Sequence, residues 1–422
     1  MLEMLFIKIP SGKDLPLMKN IKNFVKRIIR KKNILFPKSY LAPRVDNLIS
    51  KEIILIDEDG RDIFFGYHDR NPFHKEQRLV LSHRSNDNSL DVGYYDLDDS
   101  SINFNYISTS KAFSTQQGTM LQWDYLNDDF SLNFNTYANG KYKNISININ
   151  NGIISSEIDI PLYCMSRNNE WALSCNFFHL AKKRPGYGIE NQMAESEINS
   201  KTDGIWLINR ITGDIEFLAS YEILLKDLNL EHSNNIYINH LSFSPHGNLI
   251  VWFLIDENKE RRKIYLQGMH LNGERKIINI ESNRLMSHYC WIDDQTILGV
   301  NRSEDLTWKY TEYDLLTNSY FDLNINSGFD GHPMFSASSN KVIIDTTPDP
   351  NRFQHLLCFD RHKNKLFQID KLLTSKYFQG QNRCDLHPRW NESSNMISVD
   401  TPIRNKRCQK IMILNQNVLQ SL

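Results

Sequence analysis

Residues 332–348 read HPMFSASSNKVIIDTTP, and residues 387–402 read HPRWNESSNMISVDTP. Both stretches contain a short first strand that ends in an aromatic residue, then a polar turn, then an apolar strand. Two earlier stretches, HLSFSPHGNLIVWFLI and HYCWIDDQTILGVNR, follow the same order. This self-similarity predicts a repeat architecture, because each unit must stack on its neighbours to bury its apolar surface.

A histidine opens each of these four units, three residues before an aromatic residue. The four are His240, His288, His332 and His387, and their spacings are 48, 44 and 55 residues. This period is typical of β-propeller blades. Because a residue repeated at one position of every blade points toward the same axis, the pattern predicts four imidazoles on one central channel.

Three more units precede these four: GYHDRNPFHKEQRLVLSHR, GTMLQWDYLNDDFSLNFNTY and YCMSRNNEWALSCNF. Seven units between residues 51 and 422 predict an all-β fold, a seven-bladed β-propeller. A pair of β-sandwiches is the alternative, which the likeness among the units disfavours. The longest insertion lies between Phe177 and Asp203, and we expect it to help form the binding face.

Residues 1–50 form an extension of a different kind. Residues 20–36 place apolar side chains at helical spacing with basic side chains largely opposite, which predicts a basic amphipathic helix. Such a helix either lies on an anionic membrane surface or packs its apolar stripe on the main domain. The opening residues MLEMLFIKIP show no secretory signal, so we expect a cytoplasmic protein. Of the two interpretations of residues 20–36, packing on the main domain is favoured, and peripheral contact with the inner membrane is the alternative.

Composition narrows the class of protein further. The chain has 422 residues, and 49 Lys and Arg against 50 Asp and Glu give a net charge of −1. This balance does not indicate a nucleic-acid partner. Six cysteines without CxxC spacing do not form a disulfide framework in a chain of this length, which suits a reducing compartment.

The histidines suggest a metal site. Cys290 follows His288 by two residues, so both side chains point to the same side of a strand. Imidazole and thiolate donors together indicate Zn²⁺ in a tetrahedral site. The alternative is that the histidines hydrogen-bond to water and backbone in a wet channel. The predicted ligands of this structural divalent metal are His240, His288, Cys290, His332 and His387.

A second group of side chains that could bind substrate or transfer protons lies in the first three units. It consists of His68, His83, Tyr163, His179, Arg184 and Tyr187. A cleft with imidazole, phenol and guanidinium groups can bind an acidic sugar and transfer protons to and from it. The alternative is ordinary: His83 bonds to a turn, and Tyr163 is a core phenol with a bonded hydroxyl.

Several of these strings resemble one known family. GYHDRNPF, QQGTMLQW, NFFHLAKKRPGYG, DGHPMFS with DTTPD, and RCDLHPRW with VDT are similar to the seven-bladed propeller polysaccharide lyases, nearest to ulvan lyases and more distantly to oligogalacturonate lyases. The likeness covers roughly residues 60–415. It implies β-elimination of an acidic, uronic-acid-containing polysaccharide or oligosaccharide, and an ion held near the axis by histidines and a cysteine.

The resemblance also implies roles for single residues. Tyr163 is expected to be the base or acid, with His68 and His83 beside it. Arg184 and Tyr187 are expected to contact the anionic sugar. The ion is expected to be structural, because its ligands lie in the later blades rather than with the proton-transfer group.

One substrate-binding position departs from the family. His179 stands where the ulvan lyases are expected to have an arginine, and a protonated His179 would offset the carboxylate charge in its place. The alternative function is a non-catalytic propeller that binds glycan or protein in surface-polysaccharide biosynthesis, such as capsule assembly.

Overall fold

The repeated units fold as seven four-stranded antiparallel sheets, so the predicted seven-bladed β-propeller is confirmed. The computed structural model describes residues 42–190, 198–230, 235–257, 262–272, 277–280, 285–304 and 306–422. The predicted extension therefore lies, up to residue 41, outside the described residues, and so does its basic helix over 20–36.

The first four blades follow one another along the chain, each from its inner strand outward. Blade 1 contains β2 (Ile63–Phe64), β3 (Leu79–Asn86), β4 (Ser89–Asp96) and β5 (Asn105–Ser110). Blade 2 contains β6 (Gln122–Asp124), β7 (Ser131–Ala138), β8 (Lys141–Asn148) and β9 (Ile154–Ile158). Blade 3 contains β10 (Cys164–Met165), β11 (Trp171–Cys175), β12 (Gly204–Asn209) and β13 (Ile215–Ser220). Blade 4 contains β14 (Ile236–Phe243), β15 (Leu249–Asp256), β16 (Lys263–His270) and β17 (Ile277–Ile280).

The last three blades complete the ring. Blade 5 contains β18 (Leu285–Trp291), β19 (Thr296–Arg302), β20 (Trp308–Asp314) and β21 (Ser319–Asp322). Blade 6 contains β22 (Pro333–Ser336), β23 (Lys341–Ile344), β24 (Phe353–Asp360) and β25 (Lys365–Leu373). Blade 7 contains β26 (Arg389–Trp390), β27 (Met396–Ile403), β28 (Lys406–Leu414) and, as its outer strand, β1 (Ile49–Leu55). The start of the described chain thus closes the last blade, with Ile53 opposite Ile411.

The second strand of a blade is packed on both faces, because blades stack face to face around the axis. In β15, the seven residues from Leu249 to Ile255 are all buried. A near-continuous apolar run is what burial on both faces requires, in contrast to the alternating pattern of a one-sided sheet. Between blades 6 and 7 the same packing joins Ile343 and Leu356 with Ile397 and Met412.

Polar side chains interrupt these runs at one repeated position and link neighbouring blades. In blades 1, 2 and 7 it is the fifth residue of the second strand. In blade 6 it is Asp345, which directly follows the four-residue second strand. There a side chain accepts a hydrogen bond from a backbone N–H that lies within three residues of the next blade's inner strand. The donors and acceptors are Thr119 N to His83 Nε2 at 3.1 Å, Leu162 N to Asn135 Oδ1 at 2.8 Å, His387 N to Asp345 Oδ2 at 2.9 Å, and Phe65 N to Asp400 Oδ1 at 2.9 Å. We call these four contacts the inter-blade clamps.

Short helices lie outside the blade strands. α1 (Phe177–Lys183) lies in the long insertion of blade 3, α2 (Tyr221–Asp227) follows β13, and α3 (Gln416–Ser421) follows β28. The sequence predicted the insertion in blade 3. The side chain of Asn176 caps α1 by accepting from the N–H of His179 at 3.0 Å. None of the described helices is long and apolar enough to cross a lipid bilayer.

The inner strands all start at one face of the propeller, which we call the upper face, and run toward the opposite, lower face. His332 and His387 lie one and two residues before β22 and β26, whereas His240 and His288 lie in the middle of β14 and β18. Residues that follow them in sequence, such as Phe243, Trp291 and Phe335, lie closer to the lower face. This order along the axis decides which cavity each side chain borders.

The clamp of blade 2 can be tested with a single substitution at Asn135, which supplies its acceptor. Asn135 accepts from the N–H of Leu162 and donates to its carbonyl at 2.9 Å, so Asn135→Ala leaves two buried backbone groups unpaired. We expect a loss of about 2–4 kcal/mol in the free energy of unfolding, measured by urea denaturation. The exposed Asn103→Ala is the matched control, and an equally small loss in both variants would contradict a stabilising clamp.

Candidate functional site

The four in-register histidines converge on the axis, as their repeat predicted. The ring centroids of His288 and His332 are 4.1 Å apart, and those of His332 and His387 are 4.4 Å apart. His240 lies 5.7 Å from His288. Rings at these distances form one cluster, which we call the histidine cluster.

Two residues of blade 1 complete this cluster. His68 lies 5.1 Å from His332 between ring centroids, and Tyr67 lies 4.8 Å from His387 and 5.3 Å from His240. The Tyr67 hydroxyl is 3.4 Å from Nε2 of His240. The sequence grouped His68 with Tyr163 and His83 apart from the metal candidates, whereas its ring lies within the histidine cluster.

Backbone conformation helps to turn two of the rings into the channel. His240 has a φ of 55° and His387 a φ of 44°, both in the left-handed region that non-glycine residues rarely adopt. In β14 the pairing with β15 shifts register between Asn239 and Ser242, which brackets His240. Strained residues persist where the surrounding structure holds them, and they concentrate at functional sites.

Burial keeps most of the cluster uncharged. It lowers the pKa of His68, His240, His288 and His387. For His332 burial acts in the same direction, but the carboxylate of Asp345 outweighs it and raises the pKa. A neutral imidazole has a free lone pair, which is the form that binds a metal ion.

Several imidazole nitrogens are buried without a partner. Nε2 of His68, His332 and His387 has no hydrogen bond to any described residue. The other ring nitrogen is used in two of them: Nδ1 of His387 donates to the carbonyl of Gly66 at 2.8 Å, and Nδ1 of His332 donates to Asp345 at 3.0 Å. Such second partners fix the ring so that Nε2 presents its lone pair.

His332 and His387 meet Asp385 in a group suited to a metal ion. Their ligand atoms all lie within 4.8 Å of one another, and all three residues are buried. Two imidazoles and one carboxylate, with orphaned nitrogens, suit a divalent transition metal such as Zn²⁺ or Mn²⁺. The donor set therefore fits a metal ion.

The predicted ligand set differs from this group in three residues. His240 and His288 belong to the histidine cluster but not to the group with Asp385. Cys290 borders a cavity on the lower side of the cluster together with Trp291, and burial raises the pKa of its thiol to about 12. Cys290 and His288 share a strand face, but two residues of strand rise carry Cys290 away from the ring layer.

A cleft of about 420 Å³ opens on the upper side of the histidine cluster. Its lining includes His288, Asp330, His332 and Asp385, and the arginines Arg184, Arg352 and Arg383. Tyr187 lies between two of the guanidiniums, each 5.6 Å from the centroid of its ring. The upper cleft thus combines positive side chains with two imidazoles, and burial lowers the pKa of one of them, His288.

Arg184 and Tyr187, predicted to bind substrate, therefore do line one cleft, whereas His179 does not border it. Nε2 of His179 donates to the carbonyl of Ile236 at 2.6 Å, and the side chain is buried between α1 and β14. This hydrogen bond fixes α1 on blade 4. Its geometry gives His179 a structural partner, and its contact with substrate stays a prediction.

Tyr163 and His83 are fully buried and do not line the upper cleft. The hydroxyl of Tyr163 donates to Asn239 Oδ1 at 2.8 Å and accepts from Gln117 Nε2 and the N–H of His240, both at 3.0 Å. His83 forms the clamp of blade 1 and donates from Nδ1 to the carbonyl of Phe65 at 3.0 Å. Their predicted catalytic role is not tested by these contacts, which match the ordinary alternatives.

Sequence reasoning missed the acidic partners of the histidines. Asp330 precedes His332 by two residues and Asp385 precedes His387 by two, so both units read Asp-x-His-Pro. Asp330 lies 3.5 Å from Nδ1 of His288, and Asp385 joins the metal-binding group. The repeated Asp-x-His-Pro spacing was the signal that would have found them.

Comparison with known proteins identifies the fold. No protein-family model matches the chain, and no curated protein does either. An oligogalacturonate lyase in complex with manganese has a TM-score of 0.63 and 11% identity, over 90% of this chain and all 100% of that one. The oligogalacturonate lyase of Vibrio parahaemolyticus has the same TM-score and identity, over 87% of this chain and 98% of its own.

Another solved structure is similar as well. A chain of a mitotic checkpoint complex has a TM-score of 0.51 at 10% identity, over 89% of this chain and 97% of that one. At such identities the likeness shows a shared seven-bladed fold and nothing of the activity. The expected likeness to ulvan lyases stays a prediction.

Metal binding can be measured through its effect on the thermal stability of the protein. An ion that binds the folded protein alone raises the free energy of unfolding by about 2.7 kcal/mol at a hundredfold excess over its dissociation constant. We expect Zn²⁺ or Mn²⁺ to raise the melting temperature over that of chelator-treated protein, and His332→Ala to remove this increment. The exposed His362→Ala is the control. Equal melting temperatures of wild type with ion and with chelator would contradict the site.

His83 gives a prediction on pH. Burial lowers its pKa from 6.5 to about 3, so the folded state stays neutral while the unfolded state takes up a proton below pH 6.5. Stability is therefore fully present above pH 6.5 and falls by about 1.4 kcal/mol per pH unit below it. His83→Asn, which mimics the blade 2 clamp, should flatten this slope by one proton in urea unfolding. The exposed His362→Asn should leave it unchanged, and an unchanged slope in His83→Asn would contradict the assignment.

Proposed function

We propose that the protein is a lyase that cleaves a uronic-acid-containing glycan by β-elimination. The observation that carries the proposal is the upper cleft, in which guanidinium groups and the neutral imidazole of His288 share one volume of about 420 Å³. Removal of the C5 proton builds negative charge on the uronate carboxylate, so a positive group must lie close by. Proton removal itself needs a base that is unprotonated at neutral pH.

Arg184 is the best candidate to bind the uronate carboxylate of the substrate. Two other arginines of the cleft are already engaged: Arg352 donates to the carbonyls of Thr374, Ser375 and Phe378, and Arg383 pairs with Asp385. Among the described residues Arg184 forms no ion pair. Its guanidinium lies over the ring of Tyr187, which leaves its donors for an anionic ligand.

His288 is the best candidate for proton transfer. Its side chain is 15% exposed, against 4% for His332, and it borders the cleft. Burial lowers its pKa, and the carboxylate of Asp330, 3.5 Å from Nδ1, partly offsets this shift. In the proposed step His288 takes the C5 proton, the electron pair forms the C4–C5 double bond, the C4–O bond breaks, and the imidazolium protonates the departing oxygen.

A divalent ion would be held by His332, Asp385 and His387 at the floor of this cleft. Its chemistry, when bound, would be to offset negative charge on the uronate carboxylate. The similarity to a lyase solved with manganese supports a divalent ion, and the predicted Zn²⁺ remains one choice. This differs from the expected purely structural ion, because two of the three candidate ligands border the cleft.

Proton transfer by His288 differs from the prediction from sequence, which assigned this role to Tyr163, His68 and His83. The hydroxyl of Tyr163 is buried with three hydrogen-bond partners. Nε2 of His83 already accepts the hydrogen bond of the blade 1 clamp. His68 remains close to the chemistry, since its ring lies 5.1 Å from that of His332. His68 borders the cavity on the lower side of the cluster and not the upper cleft, and its buried Nε2 makes it a further candidate ligand for the ion.

The test is incubation with a panel of acidic glycans, including oligogalacturonate, ulvan and glucuronate-containing polymers. We expect ultraviolet absorbance to rise with at least one of them, because elimination leaves a conjugated double bond in the new terminal sugar. His288→Gln should lower kcat roughly 100-fold or more, the usual contribution of a positioned base, while His246→Gln on the lower face should not. Folded protein that binds these glycans without turnover would favour the non-catalytic alternative and overturn the lyase proposal.

A further inference from the structure

A second cavity lies on the lower side of the histidine cluster. It has a volume of about 240 Å³, and its lower part continues into an open depression of about 600 Å³ on the lower face. The shared lining of the two volumes contains Met165, Phe243, Met334, Phe335, Gln122, Asp69 and Arg70. We call the smaller volume the lower cavity. It takes no part in the proposed elimination.

The polar end of the lower cavity is a pair of adjacent charges. The side chain of Arg70 is 4% exposed, and Nη1 donates to the carbonyl of Tyr163 at 3.0 Å. Nη2 lies 3.2 Å from Asp69 Oδ1, yet it is buried without a hydrogen bond to any described residue. A buried donor left without a partner costs free energy, so a ligand that accepts from it is favoured.

Apolar side chains form the walls of the lower cavity. Trp291 borders it and donates its own N–H to Ser242 Oγ at 2.9 Å, so it offers a ligand its ring. Phe243, Met165 and Met334 border the same space. Small-molecule sites commonly combine such walls with a few placed polar groups.

The charges of Asp69 and Arg70 offset each other, which defines the class of ligand. A charged ligand would enter the lower cavity without a counter-charge, at a high desolvation cost. A sugar hydroxyl both donates and accepts, so two neighbouring hydroxyls match a carboxylate beside a guanidinium. The apolar faces of a pyranose ring match the aromatic and methionine walls.

We propose that the lower cavity binds one neutral sugar residue, with Asp69 accepting from a hydroxyl and Arg70 Nη2 donating to its neighbour. The volume of about 240 Å³ is below that of sites for larger ligands, so one pyranose enters and the rest of a glycan lies in the depression. This site is separate from the upper cleft and does not depend on lyase activity there.

The methyl groups of Met165 and Met334 report on the site directly. Full-length protein with ¹³C-labelled methionine methyls is titrated with methyl glucoside, methyl galactoside, methyl mannoside and methyl rhamnoside, and with glucuronic acid and glucosamine as charged comparators. Both resonances, assigned by Met165→Leu and Met334→Leu, should shift to saturation with at least one neutral glycoside and not with the charged sugars. No shift with any neutral glycoside, or equal shifts with the charged ones, overturns the proposal.

Asp69→Asn tests the polar contact. It keeps the size of the side chain but removes the charge-assisted hydrogen bond, so affinity for the neutral glycoside should fall about tenfold or more. The exposed Asp98→Asn is the matched control, and Arg184→Ala in the upper cleft should leave this affinity unchanged. Wild-type affinity in a folded Asp69→Asn variant overturns the assigned contact. If that variant does not fold, the selectivity of the wild type for neutral over charged sugars decides.

Discussion

The inner strands of this propeller have a hydrogen-bonding partner on one side only, because their other edge faces the axis. Several of them are also very short: β2, β10 and β26 have two residues each. Buried backbone N–H groups that flank these short strands need acceptors from elsewhere. The inter-blade clamps supply them, and in blades 6 and 7 they do so with carboxylates. The arrangement of the axial side chains depends on this constraint.

The histidine cluster follows from the same contacts. Asp345 accepts from the backbone N–H groups of His332 and His387, at 2.6 and 2.9 Å, and from Nδ1 of His332. One buried carboxylate thus fixes two blades and orients one ring. The site is built on the scaffold's own bonds, so its geometry is rigid, and burial keeps most of the rings neutral and able to donate lone pairs.

The cluster also divides the axial channel into two environments. Above it, three arginines and the acidic partners of the histidines line a polar cleft. Below it, methionines and aromatic rings surround one compensated ion pair. An excess of positive side chains favours an anionic ligand, whereas a balanced pair in apolar walls favours a neutral one. The two proposals therefore differ in ligand charge for a physical reason.

Sequence alone determined the seven repeats, the convergence of His240, His288, His332 and His387, and the insertion that carries Arg184 and Tyr187, because periodic position in a propeller translates directly into distance from the axis. The sequence could not determine the position of a side chain along the axis. This position places Cys290 outside the layer of histidine rings and His68 within it. Nor could the sequence distinguish a polar side chain that is hydrogen-bonded within the protein from one that is available to a ligand. Tyr163 and His83 have the same chemistry as a catalytic pair, but only the tertiary structure brings Asn239 and Thr119 within hydrogen-bonding distance of them.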